Sequence, residues 1–189
     1  MEVSDQQGKF PHSERLNLKE HEDEAAMRFC PHCARKLIVS EIDGIPRKKC
    51  PSESCNYVFW NNPIPVIGAI VEREGEVVLV RNKQWPPKIF GLVTGFLERG
   101  ETPEEGVLRE VREELGLKGQ IVDFVGYYPF FQMNQLLLVF HVMIEGTIKL
   151  GEELVEKKSV HPQKLRPWRF GTGYAVEDWL KSWKARTLV

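Results

Sequence analysis

Three glutamates in the middle of the chain stand at helical spacing. Glu110, Glu113 and Glu114 are placed so that on a helix their carboxylates share one face within a single turn. Like charges so close raise each other's pKa unless a cation joins them. Carboxylate oxygens suit hard cations such as Mg²⁺, which keeps part of its coordination shell for water and phosphate. The spacing therefore indicates a divalent-metal site for phosphoryl chemistry, and the alternative is a solvated acidic helix face.

A helix with its own start and stop signals must position these glutamates. Thr102 suits the N-cap, Pro103 suits the first helical position, and Glu105 completes a capping box. Gly116 stands where a left-handed residue ends a helix. The pattern predicts a helix from about Pro103 to Leu115. An apolar stripe beside the acidic face can anchor the helix to a sheet, and it consists of Val107, Val111 and Leu115.

The glutamates belong to a longer pattern at residues 95–117. It reads GFLERGETPEEGVLREVREELGL and resembles the Nudix box at every position. Its seven fixed identities arise by chance with a probability on the order of 10⁻⁸ per window, which argues against the solvated face. The resemblance extends over about residues 63–185 and implies a fold of the α/β class, the Nudix α/β/α sandwich with a mixed sheet. It also implies an enzyme, a pyrophosphohydrolase that depends on Mg²⁺ or Mn²⁺.

The resemblance implies a role for each residue of the box. The family's glutamates that bind divalent metal correspond to Glu110, Glu113 and Glu114. One of them, or a glutamate elsewhere, takes the proton from the attacking water. Arg109 corresponds to an arginine that orients a carboxylate one turn away. Gly95 corresponds to a metal contact through its carbonyl region. The negative charge of Glu101 supports the helix N-terminus, and Glu101 is a further candidate for the metal network.

A later acidic segment supplies one more candidate ligand or base. The family commonly adds an acid from a loop after the box, and Glu152, Glu153 and Glu156 are available. Glu153 is favoured because the segment Glu-Leu-Val-Glu resembles that of NADH pyrophosphatases. The alternative is a solvent-exposed acidic loop.

All four cysteines lie in two closely spaced pairs ahead of this region. Cys30 and Cys33 form a C-x₂-C pair, and Cys50 and Cys55 form a wider second pair. The pairs resemble the two knuckles of a zinc ribbon, in which four thiolates close a tetrahedral structural site. His32 is a substitute ligand in one interpretation and a solvent-facing side chain in another. The alternative for the cysteines is a set of unliganded buried thiols.

A zinc ribbon directly ahead of a Nudix domain resembles the NADH pyrophosphatase branch and its relatives that act on FAD or ADP-ribose. The branch carries a further motif, SQPWPFPxS, after the box. Residues 127–135 keep Pro129 and an aromatic at Phe130 of that motif and lack most of the rest. The implied substrates are therefore NAD(H), FAD and ADP-ribose together. Aromatic side chains that could stack on a substrate ring, or equally form sheet core, are Phe96, Tyr127, Tyr128, Phe130 and Phe131.

Three other functions remain open from the sequence. One is hydrolysis of a nucleoside triphosphate, and another is a catalytically silent Nudix module that senses a nucleotide. No box glutamate is lost, which argues against the silent module. The third is nucleic-acid binding by basic residues of the ribbon, which are Arg35, Lys36, Arg47, Lys48 and Lys49. A net charge of −1 argues against nucleic acid as a partner, because such binding depends on excess Lys and Arg.

The chain divides into three expected segments. Residues 1–27 are a polar tail or one short helix, residues 28–60 are the ribbon, and residues 63–189 are the hydrolase domain. Strands are expected at residues 66–71, 77–80, 121–128 and 136–144, and a last helix at residues 174–185. Residues 81–100 are expected to be irregular because Pro86, Pro87 and several glycines interrupt them.

The remaining expectations concern the surroundings of the protein. No apolar run approaches the ~18 residues of a membrane span, and the N-terminus lacks the pattern of a signal peptide. Closely paired cysteines are typical of metal binding in a reducing cytoplasm. The expected location is therefore cytoplasmic, and the expected partner is a small-molecule nucleotide. A homodimer is expected from the family resemblance.

Overall fold

The computed structural model describes residues 27–187. The chain forms two compact units, one up to Pro63 and one from Ile64 onward. The polar segment expected at residues 1–27 therefore lies outside the described residues, except for Met27. Within residues 27–187, every helix is too short or too polar to cross a lipid bilayer.

The first unit is built on a small antiparallel sheet. Its strands are β1 (Ile38–Ile42), β2 (Ile45–Lys49) and β3 (Val58–Phe59), paired in the order β1-β2-β3. Asp43 and Gly44 join β1 to β2 with φ of 52° and 76°, as a tight Asp-Gly hairpin requires. Cys30, Leu37 and Cys50 form the buried core of this unit. So small a core points to a further source of stability, such as a metal.

The second unit contains a six-stranded mixed sheet. Its elements are β4 (Ile64–Arg73), β5 (Glu76–Asn82), β6 (Val93–Phe96), α1 (Pro103–Leu115), β7 (Gly119–Phe130), a 3₁₀ turn (Phe131–Met133), β8 (Gln135–Ile144), β9 (Leu154–Val160) and α2 (Gly173–Thr187). The strand order is β7-β8-β4-β5-β9, and β6 pairs with the first half of β4. Strands β4 and β8 are parallel, while the other pairs are antiparallel.

Helices cover both faces of this sheet. Strand β4 is an almost continuous apolar run because both of its faces are buried. Ile67 and Val71 of β4 pack in one cluster with the apolar stripe of α1. On the other face, α2 buries Trp179, whose ring meets His141 of β8 at 5.3 Å between centroids. The predicted α/β/α sandwich with a mixed sheet is confirmed.

Two strands lie where the sequence indicated irregular chain. Residues 81–100 include β6, and the acidic segment after residue 151 leads into β9, which contains Glu156. Strand β6 has four residues, too few to show an alternation. Strand β9 is at the edge of the sheet, and residues 155–159 are all exposed, so its pattern resembles a loop. The expectation of irregular chain was therefore wrong at β6 and at Glu156 in β9, whereas Glu152 and Glu153 lie in a turn ahead of β9.

Candidate active site

Helix α1 begins and ends at its caps. The hydroxyl of Thr102 accepts the N–H of Glu105 at 3.2 Å, and the Glu105 carboxylate accepts the N–H of Thr102 at 2.8 Å. Gly116 has φ of 69°, and its N–H donates to the carbonyl of Arg112. The stripe that anchors the helix is fully buried and consists of Val107, Val111 and Leu115. Capping and burial together fix the glutamates that project from the helix beside this stripe.

Arg109 binds three carboxylates of the box at once. Its Nε and Nη2 donate to the two oxygens of Glu101 at 3.0 and 2.8 Å. Its Nη1 donates to Glu110 at 2.7 Å and to Glu113 at 3.2 Å. Nη2 also donates to the carbonyl of Phe96 at the end of β6, at 3.1 Å. The Arg109 side chain is 17% exposed, and its bonds to Glu101 and Glu110 are partly buried, while its bond to Glu113 is exposed. The bonds to Glu101 and Glu110 fix the orientation of these carboxylates.

Both carboxylate oxygens of Glu101 accept hydrogen bonds from Arg109. Hydrogen bonding to Arg109, and then to the N–H of Glu98, lowers the pKa of Glu101 to about 2. The bond from the Glu98 N–H is 2.7 Å long. Because both oxygens of Glu101 already accept bonds from Arg109, the structure favours a positioning role for this residue over the predicted metal contact.

Glu114 carries the least satisfied carboxylate in the cluster. Burial, followed by the charges of Glu110, Glu153 and Glu113, raises the pKa of Glu114 to about 8. Its Oε2 is buried and has no hydrogen-bond partner among residues 27–187. Burial also raises the pKa of Glu110, against the opposing effect of Arg109. A buried carboxylate without a partner is costly unless a cation compensates it, so these residues fit a divalent metal ion.

Gly95 lies against the cluster on β6. A Cβ at this position would overlap the carboxyl group of Glu110, so only glycine leaves room for that side chain. Gly95 pairs with Ile67 of β4, which packs in the same cluster as the stripe of α1. The backbone of β6 therefore approaches the acidic face of α1 closely, as the predicted metal contact of Gly95 requires.

Glu153 joins the cluster through a turn that is tied to the end of α1. The N–H of Gly151 donates to the carbonyl of Glu114 at 2.9 Å. The carbonyl of Glu153 accepts the N–H of Lys83 at 2.9 Å, which fixes the residue at the start of β9. Its charge raises the pKa of both Glu110 and Glu114, so its carboxylate lies near them.

The two neighbouring acids behave differently from Glu153. Glu156 forms an ion pair with Arg81 at 3.1 Å on the exposed edge of the sheet. Glu152 is exposed and does not contribute to the raised pKa of Glu114. Among the three acids that the sequence offered, Glu153 is the one that the structure brings to the cluster.

The cysteine cluster of the first unit differs in geometry from the glutamate cluster. The Sγ atoms of Cys30 and Cys55 are 3.7 Å apart, and those of Cys33 and Cys50 are 3.4 Å apart. All four lie within 4.8 Å of one another, and among the described residues this is the one acidic, histidine or cysteine group so compact. Tetrahedral coordination of one zinc ion needs this arrangement.

The backbone supports the cysteine cluster. Burial opposes ionisation of Cys30, but the N–H groups of His32 and Cys33 lower the pKa of its thiol to about 7. A turn closes the first pair through the Ala34 N–H and the Cys30 carbonyl, at 2.8 Å. The ring of His32 packs against Tyr57 at 5.1 Å between centroids, outside the compact group of thiols. The geometry thus favours four thiolates over a His32 ligand.

An aromatic cavity of about 480 Å³ opens on the sheet face opposite α1. Thr94, next to Gly95 on β6, forms part of its lining, so β6 separates the cavity from the acidic cluster. Of the five aromatic candidates from the sequence, Phe130 alone lines it. Four aromatic side chains that the sequence analysis missed also do so, and they are Trp85, Phe90, Trp168 and Phe170.

The other aromatic candidates lie elsewhere. Tyr128 is 3% exposed, and its hydroxyl donates to Asp178 of α2 at 3.2 Å, so it belongs to the sheet core. Phe96 and Tyr127 are exposed, and Phe131 begins the 3₁₀ turn. The missed residues come from loops at residues 85–90 and 168–170, whose sequences carry no periodic signal.

The acidic, capped helix on one face of the mixed sheet and the ring-sized cavity on the other suit an enzyme that acts on phosphate compounds. A family model described as the NUDIX domain matches residues 62–178. The chain belongs to the Nudix family.

Curated relatives match about two thirds of the chain. The NAD-capped RNA hydrolase NudC of Chromobacterium violaceum is 35% identical over 119 residues, which are 63% of this chain and 43% of that protein. The ADP-ribose pyrophosphatase of Methanocaldococcus jannaschii is 29% identical over 135 residues, 68% of this chain and 79% of that protein. The chain thus spans less than half the length of the NudC relative that it matches.

A solved structure has the same fold. The crystal structure of a NUDIX hydrolase from Nitrosomonas europaea superposes with a TM-score of 0.72 at 24% identity. The match covers 85% of this chain and 93% of that one. At this identity the likeness establishes the fold.

Proposed function

We propose that this protein hydrolyses the pyrophosphate bond of a dinucleotide-like nucleoside diphosphate compound, with Mg²⁺ or Mn²⁺ as cofactor. NAD(H), FAD and ADP-ribose are the proposed substrates. The observation that carries the proposal is the buried Oε2 of Glu114, which has no partner among residues 27–187 and lies within a group of glutamates beside Gly95. Such a site is suited to a cation and to the phosphate oxygens that a cation attracts.

The residues of the cluster have separate tasks in this reaction. Glu110, Glu113, Glu114 and Glu153 would hold the cation together with the carbonyl region of Gly95. Gly95 leaves space for the Glu110 carboxylate by lacking a side chain. When bound, the divalent cation stabilises charge on the phosphate oxygens and lowers the pKa of a coordinated water.

Glu114 is our candidate for the proton acceptor. In this scheme the proton of the attacking water goes to Glu114 Oε2, which is buried and accepts no hydrogen bond from the described residues. Arg109 touches neither water nor phosphate in this scheme. It positions Glu110 and Glu113 through its hydrogen bonds to them.

The aromatic cavity supplies the selectivity. The pyrophosphate centre is common to Nudix substrates, so discrimination comes from the groups on either side. A cavity of about 480 Å³ with aromatic walls accommodates a nucleobase, a nicotinamide or part of a flavin ring. The relatives are an NAD-capped RNA hydrolase and an ADP-ribose pyrophosphatase, and NAD and ADP-ribose both carry a ring on at least one side of the pyrophosphate. Nucleoside triphosphates rank behind them.

The cysteine cluster has a structural role in this proposal. Cys30, Cys33, Cys50 and Cys55 hold one zinc ion, and four thiolates leave no position open for chemistry. Because a zinc-thiolate site needs reduced cysteines, we place the protein in the cytoplasm. Assembly as a homodimer remains a prediction from the family resemblance.

A substrate screen tests the proposed reaction. Purified protein with Mg²⁺ or Mn²⁺ is incubated with NADH, NAD⁺, FAD, ADP-ribose and nucleoside triphosphates, and the products are separated by chromatography. We expect a mononucleotide from each dinucleotide and the highest kcat/KM among NAD(H), FAD and ADP-ribose. A nucleoside triphosphate with kcat/KM well above all of these would contradict the assignment of substrate class.

A further inference from the structure

The second unit holds another cavity, of about 310 Å³, whose charged lining is entirely basic. We call it the basic cavity; its cations are Lys88, Lys158, Lys164 and Arg166. None of the described residues that line it is acidic. In a chain with a net charge of −1, four cations around one concavity are a local concentration. Their combined field attracts an anion and repels a cation.

The cations of the basic cavity are set on ordered backbone. Lys158 lies on β9 opposite Leu79 of β5, and its Nζ is 4.2 Å from the centroid of the Phe90 ring. The N–H of Lys164 donates to the carbonyl of His161 at 2.8 Å in a turn after β9. Arg166 Nη1 donates to a backbone carbonyl at 3.1 Å. The side chains of Lys158 and Arg166 are thus held at the cavity by contacts with the described chain.

The backbone at Lys88 supports a functional interpretation. Its φ is 75°, a left-handed conformation that residues with a side chain rarely adopt. The turn that holds it is closed by the N–H of Ile89 and the carbonyl of Pro86 at 3.2 Å. Such conformations are concentrated at ligand sites, and this one belongs to a residue that lines the basic cavity.

The basic cavity shares a wall with the aromatic cavity. Ile89, Phe90, Trp168 and Phe170 line both. Thr94 is next to Gly95, which lies against the acidic cluster. Thr94 lines the aromatic cavity and not the basic cavity. The aromatic cavity therefore lies between the acidic cluster and the basic cavity. A substrate whose ring enters the aromatic cavity therefore has the four cations beside it, across the shared wall.

We propose that the basic cavity binds a phosphate ester that the substrate carries in addition to its scissile pyrophosphate. This inference rests on the proposed function, which assigns the aromatic cavity to a ring of the substrate. A phosphate on a ribose hydroxyl and the first phosphodiester of a capped RNA present the same anionic oxygens. Lysine and arginine side chains recognise these oxygens with charge-assisted hydrogen bonds.

Paired substrates separate the two sources of this phosphate. NADPH is compared with NADH, and an NAD-capped tetranucleotide is compared with NAD⁺, at constant ionic strength. The variant is the double substitution Lys158→Gln and Arg166→Gln. The matched control is Lys184→Gln, an exposed lysine on α2 outside both cavities. The wild type should prefer at least one phosphorylated member, and the double variant should reduce that preference by about tenfold.

A binding measurement separates failure of the inference from failure of the proposed function. Calorimetry compares adenosine 2′,5′-bisphosphate and adenosine 3′,5′-bisphosphate with adenosine 5′-monophosphate, without any turnover. A preference that the double variant loses and Lys184→Gln keeps supports the basic cavity even if no substrate is hydrolysed. Hydrolysis of NADH without a preference for any phosphorylated compound, or a preference that survives the double substitution, overturns the inference while the proposed function stands.

Discussion

The cysteine cluster of the first unit and the glutamate cluster of the second unit hold their ligand atoms in different ways. The four Sγ atoms already lie within 4.8 Å of one another. In the second unit, Arg109 binds the carboxylates of Glu110 and Glu113, and Glu114 points a buried oxygen at no partner in the described chain. The cysteines are arranged around one centre, whereas the glutamates are arranged around an arginine.

The difference fits the roles proposed for the two sites. A structural zinc site is closed, and its ligands need only meet. A site that exchanges water, phosphate and product must keep coordination positions open, so its carboxylates need a separate means of being held. Arg109 and the backbone at Gly95 provide that means in the second unit.

The largest effect is expected in the first unit. Cys30→Ser should abolish zinc binding and unfold the ribbon, since structural zinc contributes on the order of 10 kcal/mol to the folding of such modules. Metal analysis should give one zinc per wild-type chain and none for the variant. His32→Asn should keep the zinc, because its ring packs on Tyr57. Zinc retained in Cys30→Ser would show that Cys30 is not a ligand of the zinc site.

The next effect concerns the approach of β6 to α1. In Gly95→Ala the new Cβ would displace the carboxyl group of Glu110, so we expect kcat/KM to fall by roughly 100-fold with little loss of fold. The matched control is Gly68→Ala on β4, where a Cβ would make ordinary contacts of 3.5 Å to Thr94 and Val139. Equal kinetics in the two variants would show that the space at Gly95 is unimportant.

A smaller effect is expected from Arg109→Lys. Lysine keeps the charge but cannot reach Glu101, Glu110 and Glu113 together, because it lacks the planar fork of donors. We expect kcat to fall about tenfold while KM changes little, since the variant disturbs carboxylate orientation and leaves the aromatic cavity intact. A pure rise in KM would instead place Arg109 in contact with the substrate.

The smallest effect is the pH dependence of stability in metal-free protein. A carboxyl whose pKa is raised on folding binds more protons in the folded state, so stability falls as pH rises between the two pKa values. For Glu114 this interval runs from its ordinary 4.5 to about 8. The thermal midpoint of the second unit should therefore decrease across this interval, and Glu114→Gln should flatten the decrease. An unchanged slope in the variant would assign the dependence to other groups.

Sequence reasoning was most successful where local rules and a chemical pattern coincide. The capping box, the stripe and Gly116 define α1 independently, and the helix observed is the one expected, Pro103–Leu115. Glu153 was singled out from a neighbouring segment, although that segment leads into a strand and is not simply a loop. The local sequence pattern could reveal the residues of the acidic cluster. It could not reveal the two hydrogen bonds from Arg109 to Glu101, which depend on side-chain packing.

The substrate side of the site could not be predicted in the same way. Trp85 and Trp168 meet around one cavity although more than 80 residues separate them. Neither loop has a hydrophobic period, so nothing local relates them. Tyr128 was an equally plausible ring-stacking residue by type, and only its strand register places it under α2. Tertiary pairing, and not residue type, decides which aromatics are available to a ligand.

We propose that the glutamate cluster of the second unit binds a divalent cation and uses it to hydrolyse a pyrophosphate bond. Mn²⁺ binding followed by electron paramagnetic resonance, with ADP-ribose turnover measured in the same samples, tests both parts together. The wild type and Glu104→Gln, an exposed glutamate in the first turn of α1, should bind Mn²⁺ and hydrolyse the substrate equally well. Glu114→Gln should stay folded, bind Mn²⁺ more weakly and lose about 1,000-fold in kcat/KM. Turnover by Glu114→Gln at the wild-type rate would contradict the account.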